Sequence, residues 1–83
     1  PHEWGVTTQR GRTLFVHVLS DVDRLICLPY AGNRVRQAVD YRTRVPVRFV
    51  QDADGIVLKL PTTAKADPDF VVEVEFAEEL RGN

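Results

Sequence analysis

The sequence predicts an all-β fold: a small antiparallel β-sandwich of the Ig-like or Greek-key kind with about seven strands. Short runs rich in β-branched and aromatic residues recur between turn signals, as they do in β-sandwich sequences. In the last three runs, apolar and polar residues alternate with period two, which is typical of antiparallel strands with one solvated face. No segment before the C-terminal tail has a helical period.

Seven strands are expected along the chain, each bounded by glycine, proline or a polar loop. A hairpin at Gly11 joins the first two, and the turn signal Asp54-Gly55 precedes the sixth, because glycine can adopt the positive φ of such a turn. Pro46, inside the fifth run, predicts an edge position or a bulge. The predicted strands are 5–9, 13–19, 24–28, 35–41, 45–50, 56–60 and 70–76.

Length and composition indicate one domain, spanning residues 1–83, with a single thin core. Apolar residues at 43% and charged residues at 28% are typical of a globular protein and argue against disorder and against a membrane protein. Cys27 is the only cysteine, so an intramolecular disulfide is impossible. Residues 1–12 lack the pattern of a signal peptide, and we expect the chain to be a piece excised from a larger protein.

Charge is distributed unevenly, with a net charge of +4 over residues 1–48 and −5 over residues 49–83. A basic stripe can bind phosphates, so nucleic-acid binding is a hypothesis to consider for the arginines at 34, 36, 42, 44 and 48. The sequence pI of about 6.1 and the lack of interleaved aromatic residues argue against it. Glu73 and Glu75 are possible cross-strand partners. We therefore expect a solvated face with ion pairs and no nucleic-acid partner.

Residues that carry catalytic chemistry are scarce. Two histidines, at positions 2 and 17, and one cysteine do not have the spacing of a metal site. Ser20 is the only serine, and neither a nucleophile elbow nor a phosphate-binding glycine loop is present in the sequence. The residues alone therefore predict no catalytic residue, no metal and no cofactor.

The strand 13–19 has two largely apolar faces. Phe15, His17 and Leu19 share one face, and the residues between them form the other. This pattern predicts a central strand whose second face is covered by a loop or a neighbouring domain. For His17, a half-buried side chain bonded to a backbone carbonyl is favoured over a general base, because a base needs an orienting partner.

Three aromatic residues could contact a sugar ring by stacking: Trp4, Tyr30 and Tyr41. Carbohydrate-binding modules align such residues on an exposed face. Trp4 precedes the first strand and Tyr30 follows a proline that ends a strand, positions that also suit packing at the ends of a sandwich. Packing is the favoured interpretation, because large aromatic residues are mostly buried.

Four stretches together resemble the C-terminal β-sandwich domain of the α-L-fucosidases of glycoside hydrolase family 29. They are WGVTTQRGRTLFVHVL at 4–19, LICLP at 25–29, DGIVLKLP at 54–61 and DFVVEVEF at 69–76. The first is the most specific. After it, SDVD at 20–23 stands where many members have a longer, often aromatic loop.

The resemblance implies a non-catalytic accessory domain that packs against a preceding (β/α)8-like barrel of the same parent chain. In that family the barrel carries an aspartate nucleophile and a separate acid/base carboxylate, so no catalytic residue transfers to this sequence. The parent would release terminal α-L-fucose from glycoconjugates with retention, which requires two carboxyl groups about 5–5.5 Å apart. It would be secreted, periplasmic or lysosomal.

Two other functions remain open from the sequence. One is a carbohydrate-binding module acting through Trp4, Tyr30 or Tyr41, and the other is an Ig-like protein-interaction module. Each requires a different surface. The accessory domain needs an apolar patch around Phe15 and His17, the sugar module an exposed aromatic platform, and the interaction module a patch buried by a partner. None of the three involves a membrane.

Overall fold

The computed structural model describes residues 5–18, 25–29, 32–61 and 70–80, and these contain seven strands and no helix. The predicted all-β fold is confirmed. Leu19, Arg24 and the predicted polar loops 20–23 and 62–69 lie outside the described residues. The strands are β1 (Gly5–Arg10), β2 (Thr13–Val18), β3 (Leu25–Leu28), β4 (Val35–Asp40), β5 (Arg48–Asp52), β6 (Gly55–Lys59) and β7 (Val71–Phe76).

The strands form two antiparallel sheets, as predicted for a sandwich. The first sheet has the order β1-β2-β7-β4 and the second the order β3-β6-β5. An immunoglobulin constant domain has the same division into four and three strands, with orders that correspond to 1-2-5-4 and 3-6-7. Here β7 takes the place of the fifth strand and β5 that of the seventh. The domain is therefore Ig-like in its layers and crossed connections, with a different position for two strands.

Period-two alternation places one side of each sheet in a common core. On β2, Leu14, Val16 and Val18 point inward and are almost fully buried, as the sequence predicts, while Phe15 and His17 point outward. The core draws on both sheets. Its members are Leu14, Val16, Val18, Ile26, Leu28, Val35, Ala38, Val47, Ile56, Leu58, Leu60, Phe70, Val72, Val74, Phe76 and Leu80.

Both predicted hairpins form, each around a two-residue loop. Arg10 pairs with Thr13 across Gly11-Arg12, and Gly11 has a φ of 60°, as the first central residue of a type II′ turn requires. In the second hairpin Asp52 pairs with Gly55, and Gly55 has a φ of 141°. A side chain at Gly55 would also collide with β3, because an added Cβ would lie 2.3 Å from the Leu28 carbonyl oxygen.

The predicted strand 45–50 is wrong at its N-terminal end. The N–H of Val47 donates to Ala38 O in the first sheet, whereas β5 begins at Arg48 and pairs with β6 in the second. Pro46, which has no N–H, makes only an isolated bridge to Val39 at this crossing between sheets. Val45 was expected to share the inward face with Val47, but it is 59% exposed.

Two further segments differ from simple alternation. A register shift between Val35 and Gln37 is a bulge in β4, and it explains why inward and outward residues do not alternate there. Residues 77–80, in the C-terminal tail, form no helix. Leu80 instead packs in the core, and its N–H donates to Gly11 O.

Candidate functional site

An apolar patch lies on the outer face of the first sheet. His17 pairs with Val6 on one side and with Val71 on the other, so these three residues form a row across β1, β2 and β7. Phe15 lies on the same face of β2, and the Tyr41 ring stands against it edge to face, with centroids 5.8 Å apart and an interplanar angle of 82°. We call Val6, Phe15, His17, Tyr41 and Val71 the outer patch.

The outer patch borders a shallow depression of about 390 Å³. Polar groups of β1 line its other side, namely Thr8, Gln9 and Arg10. Phe15, His17 and Val71 are half-buried, while Val6 is 45% and Tyr41 is 55% exposed. The predicted second apolar face of β2 is therefore present and is partly open to solvent.

His17 bonds to a different partner from the one expected. Its Nε2 lies 3.2 Å from the Thr8 hydroxyl oxygen, across the β1–β2 pair, whereas the sequence interpretation proposed a backbone carbonyl. The residue is half-buried, as predicted. Among the described residues, no carboxylate bonds to its ring, so the arrangement that orients a catalytic imidazole is not found there.

Glu73 and Glu75, the expected partners of the arginines, are both engaged beside the outer patch, one of them by Arg44 from the loop after β4. The Arg44 guanidinium donates to both Glu73 carboxylate oxygens at 2.8 and 3.3 Å. This bond to Glu73 raises the pKa of Arg44 above its ordinary value. Glu75 accepts from Gln37 Nε2 at 3.0 Å and lies 3.8 Å from Arg36. Both outward carboxylates of β7 therefore contact side chains on β4 or in the loop that follows it.

Arg44 holds this contact with a left-handed backbone, since its φ is 66°. That conformation is unfavourable for residues with a Cβ and costs glycine little. We expect Arg44→Gly and Arg44→Ala to lose the same ion pair, while only the alanine variant keeps the backbone strain. Arg44→Gly should therefore unfold at a higher temperature than Arg44→Ala, by roughly 4–8 °C in a domain this small. Equal melting temperatures in a calorimetric scan would contradict this reading of the turn.

The predicted interface and sugar residues converge only in part. Phe15 and His17, proposed as interface residues, and Tyr41, proposed as a sugar contact, all border one depression. Leu19, Trp4 and Tyr30 lie outside the described residues. The sequence could not predict this convergence, because Tyr41 reaches Phe15 only through the pairing of β4 with β7 and of β7 with β2.

Groups suited to metal binding or covalent catalysis do not cluster within the described part of the chain. No three His, Cys, Asp or Glu side chains among those residues converge on a common point. Cys27 is an exposed free thiol on β3. Over the same residues, no helix is long and apolar enough to cross a membrane.

Sequence reasoning missed one pair of charged residues. Arg48 was grouped with Arg42 and Arg44 and assigned to partners on β7. It lies instead on the outer face of the second sheet, opposite Lys59 of β6. The outward direction of both side chains is readable from period-two alternation, but the sheet to which each strand belongs is not.

Comparison with known proteins provides no identification. No family model matches the chain, and neither the curated proteins nor the solved structures include a significant match.

Proposed function

We propose that this chain is the non-catalytic accessory domain of an α-L-fucosidase and that it docks on the catalytic barrel of the same parent through the outer patch. The observation that carries the docking proposal is the apolar outer face of β2. β2 lies between β1 and β7. Its outward His17 is aligned with Val6 and Val71, and its outward Phe15 packs against the Tyr41 ring. On a solvated face, these positions would ordinarily be polar.

The surroundings of the outer patch resemble a protein interface. Its centre is aromatic and aliphatic, and the charged groups that border it on β7 are neutralised by Arg44 and Arg36. Stable interfaces commonly have an apolar centre with a polar rim. Tyr41 adds a rigid aromatic side chain that is 55% exposed, and docking would remove its ring from water.

The assignment to a fucosidase rests on the resemblance of the sequence, and the resembling stretches correspond to definite elements. Residues 4–19 include the β1–β2 hairpin, residues 54–61 include β6, and residues 69–76 include β7. The hairpin contributes Val6, Phe15 and His17, so the most specific stretch also supplies most of the outer patch. The chemistry would reside in the barrel, and this domain would stabilise it.

Activity of the domain with and without its neighbour tests this proposal. The open reading frame that contains residues 1–83 should encode a barrel of alternating strands and helices upstream, and its product should hydrolyse an aryl α-L-fucoside. The 83-residue chain alone should release no aryl alcohol. An unrelated upstream domain, or hydrolysis by the 83-residue chain, would refute the proposal.

Carbohydrate binding is the second candidate, and the exposed Tyr41 ring beside Thr8, Gln9 and Arg10 favours it. An aromatic ring next to hydrogen-bonding side chains is the combination that such sites use. Under the docking proposal, L-fucose and other monosaccharides should leave the NMR signals of Tyr41 and Phe15 in the 83-residue chain unchanged. Saturable shifts that disappear in Tyr41→Ala would instead favour the sugar module. Chemical shifts of Val50, on the other sheet, are the internal control.

A further inference from the structure

The outer face of the second sheet carries two cations directly opposite each other. Arg48 of β5 pairs with Lys59 of β6, so both side chains project from the same face at neighbouring positions. They line a depression of about 330 Å³ at the end of the β5–β6 hairpin opposite its turn. The other lining residues are Pro46, Val47, Leu60 and Pro61.

Within the described chain, neither cation has a carboxylate partner. The ion pairs of the described residues join Arg36 and Arg44 to carboxylates of the first sheet, and neither involves Arg48 or Lys59. Asp52 is on the same face of β5, but it lies four residues further along, roughly 13 Å at the rise of a strand. The face between them is apolar, since Val50 and Val57 form the next outward pair.

Like charges at directly opposed positions destabilise a sheet. Such a pair is favourable when an anion lies between the two groups, because the anion accepts charge-assisted hydrogen bonds from both. A guanidinium can donate two parallel bonds to an oxyanion, and an ammonium adds a compact charge. The two buried residues beneath them, Val47 and Leu60, fix the floor of the depression.

We propose that the Arg48–Lys59 depression binds an oxyanion, carried by a ligand as a sulfate, phosphate or carboxylate group. The site lies on the opposite sheet from the outer patch. It therefore does not depend on the proposed fucosidase assignment, and a domain docked through the outer patch would leave it accessible. Its ligand would approach from the side of the second sheet.

NMR titration of the 83-residue chain with sodium sulfate tests the proposal, with sodium chloride keeping the ionic strength constant. The amide shifts of Arg48 and Lys59 should saturate, and Arg48→Gln should weaken the affinity about 10-fold through the loss of a charge-assisted bond. Arg34→Gln, which removes an exposed arginine that precedes β4, is the matched control and should bind sulfate with unchanged affinity. Shifts that never saturate, or equal affinities of Arg48→Gln and the unmodified chain, would overturn it.

Thermal unfolding provides an independent readout. Without sulfate, Arg48→Gln should unfold about 1–4 °C above the unmodified chain, because it relieves the repulsion from Lys59. Sulfate should raise the melting temperature of the unmodified chain by more than that of Arg48→Gln. Parallel titrations with phosphate and acetate distinguish a tetrahedral from a carboxylate ligand. An equal sulfate-dependent rise in both proteins would contradict a site at Arg48.

Discussion

Replacement of Phe76 by alanine should lower the free energy of unfolding by about 3–5 kcal/mol. Phe76 is 0% exposed and is among the largest fully buried side chains. Phe76 is the last residue of β7, the strand that lies between β2 and β4 in the first sheet, and its ring is part of the core. Alanine would leave a cavity that neighbours on several strands cannot fill together. Since a domain of this size is stabilised by about 5–15 kcal/mol in total, the loss would be severe.

Urea denaturation, followed by circular dichroism, measures this change. Phe15→Ala is the matched control, because it removes the same side chain from the outward face of β2, where the ring is only half-buried. In the 83-residue chain we expect Phe15→Ala to cost less than half as much as Phe76→Ala. Equal losses for the two variants would mean that the outer patch is buried as deeply as the core, contrary to this structure.

Replacement of Gly55 by alanine should lower the free energy of unfolding by about 2–4 kcal/mol. Two costs add at this position. The φ of 141° is one that residues with a side chain rarely adopt, and the added Cβ would lie 2.3 Å from the carbonyl oxygen of Leu28. Relief requires β3 to move away from β6, and all four residues of β3 pair with β6.

Two glycines, Gly11 and Gly32, provide graded controls for this effect. Gly11→Ala should cost about 1 kcal/mol, since Gly11 has a φ of 60° but no atom within 4 Å of the added Cβ. Gly32 has neither a close neighbour nor a positive φ, so Gly32→Ala should be neutral or slightly stabilising. Gly55→Ala and Gly11→Ala would be compared by chemical denaturation. If Gly55→Ala is at least as stable as Gly11→Ala, the close approach of Leu28 of β3 to Gly55 is refuted.

Features that depend on local alternation were predictable from the sequence. A side chain on a strand can point only inward or outward, so the pattern of β2, β6 and β7 assigns each residue to a face without knowledge of its neighbours. The two hairpins were also predictable, because a glycine in or next to a short loop restricts the turn geometry. Arginine partners for the outward carboxylates of β7 were expected as well, although Arg44 lies in the loop after β4 and not on a strand.

Features that depend on which strands are neighbours were not predictable. Pro46 signalled an irregularity, but local propensity does not say that the chain leaves the first sheet at Val47 and enters the second at Arg48. For that reason the exposure of Val45 and the pairing of Arg48 with Lys59 were missed. Gly55 was expected in the turn, but it is the first residue of β6, and its closest constraint comes from Leu28, a residue distant in sequence.

The candidate site was predictable to a similar degree. The apolar outward face of β2 could be read from Phe15 and His17, whereas the contact of Tyr41 with Phe15 requires the order of the first sheet. In the proposed docking, these residues all contact the catalytic barrel. The docking proposal predicts that the side chains of the outer patch are shielded from water only in the larger protein.

Hydroxyl-radical footprinting tests this claim most directly. Oxidation of Phe15 and Tyr41 would be compared between the 83-residue chain and the polypeptide in which the catalytic domain precedes it, with Val50 on the opposite sheet as the reference. If the outer patch docks on the catalytic domain, the labelling of Phe15 and Tyr41 should decrease several-fold in the longer polypeptide, with no change at Val50. Equal labelling of Phe15 and Tyr41 in the two proteins would contradict the docking proposal.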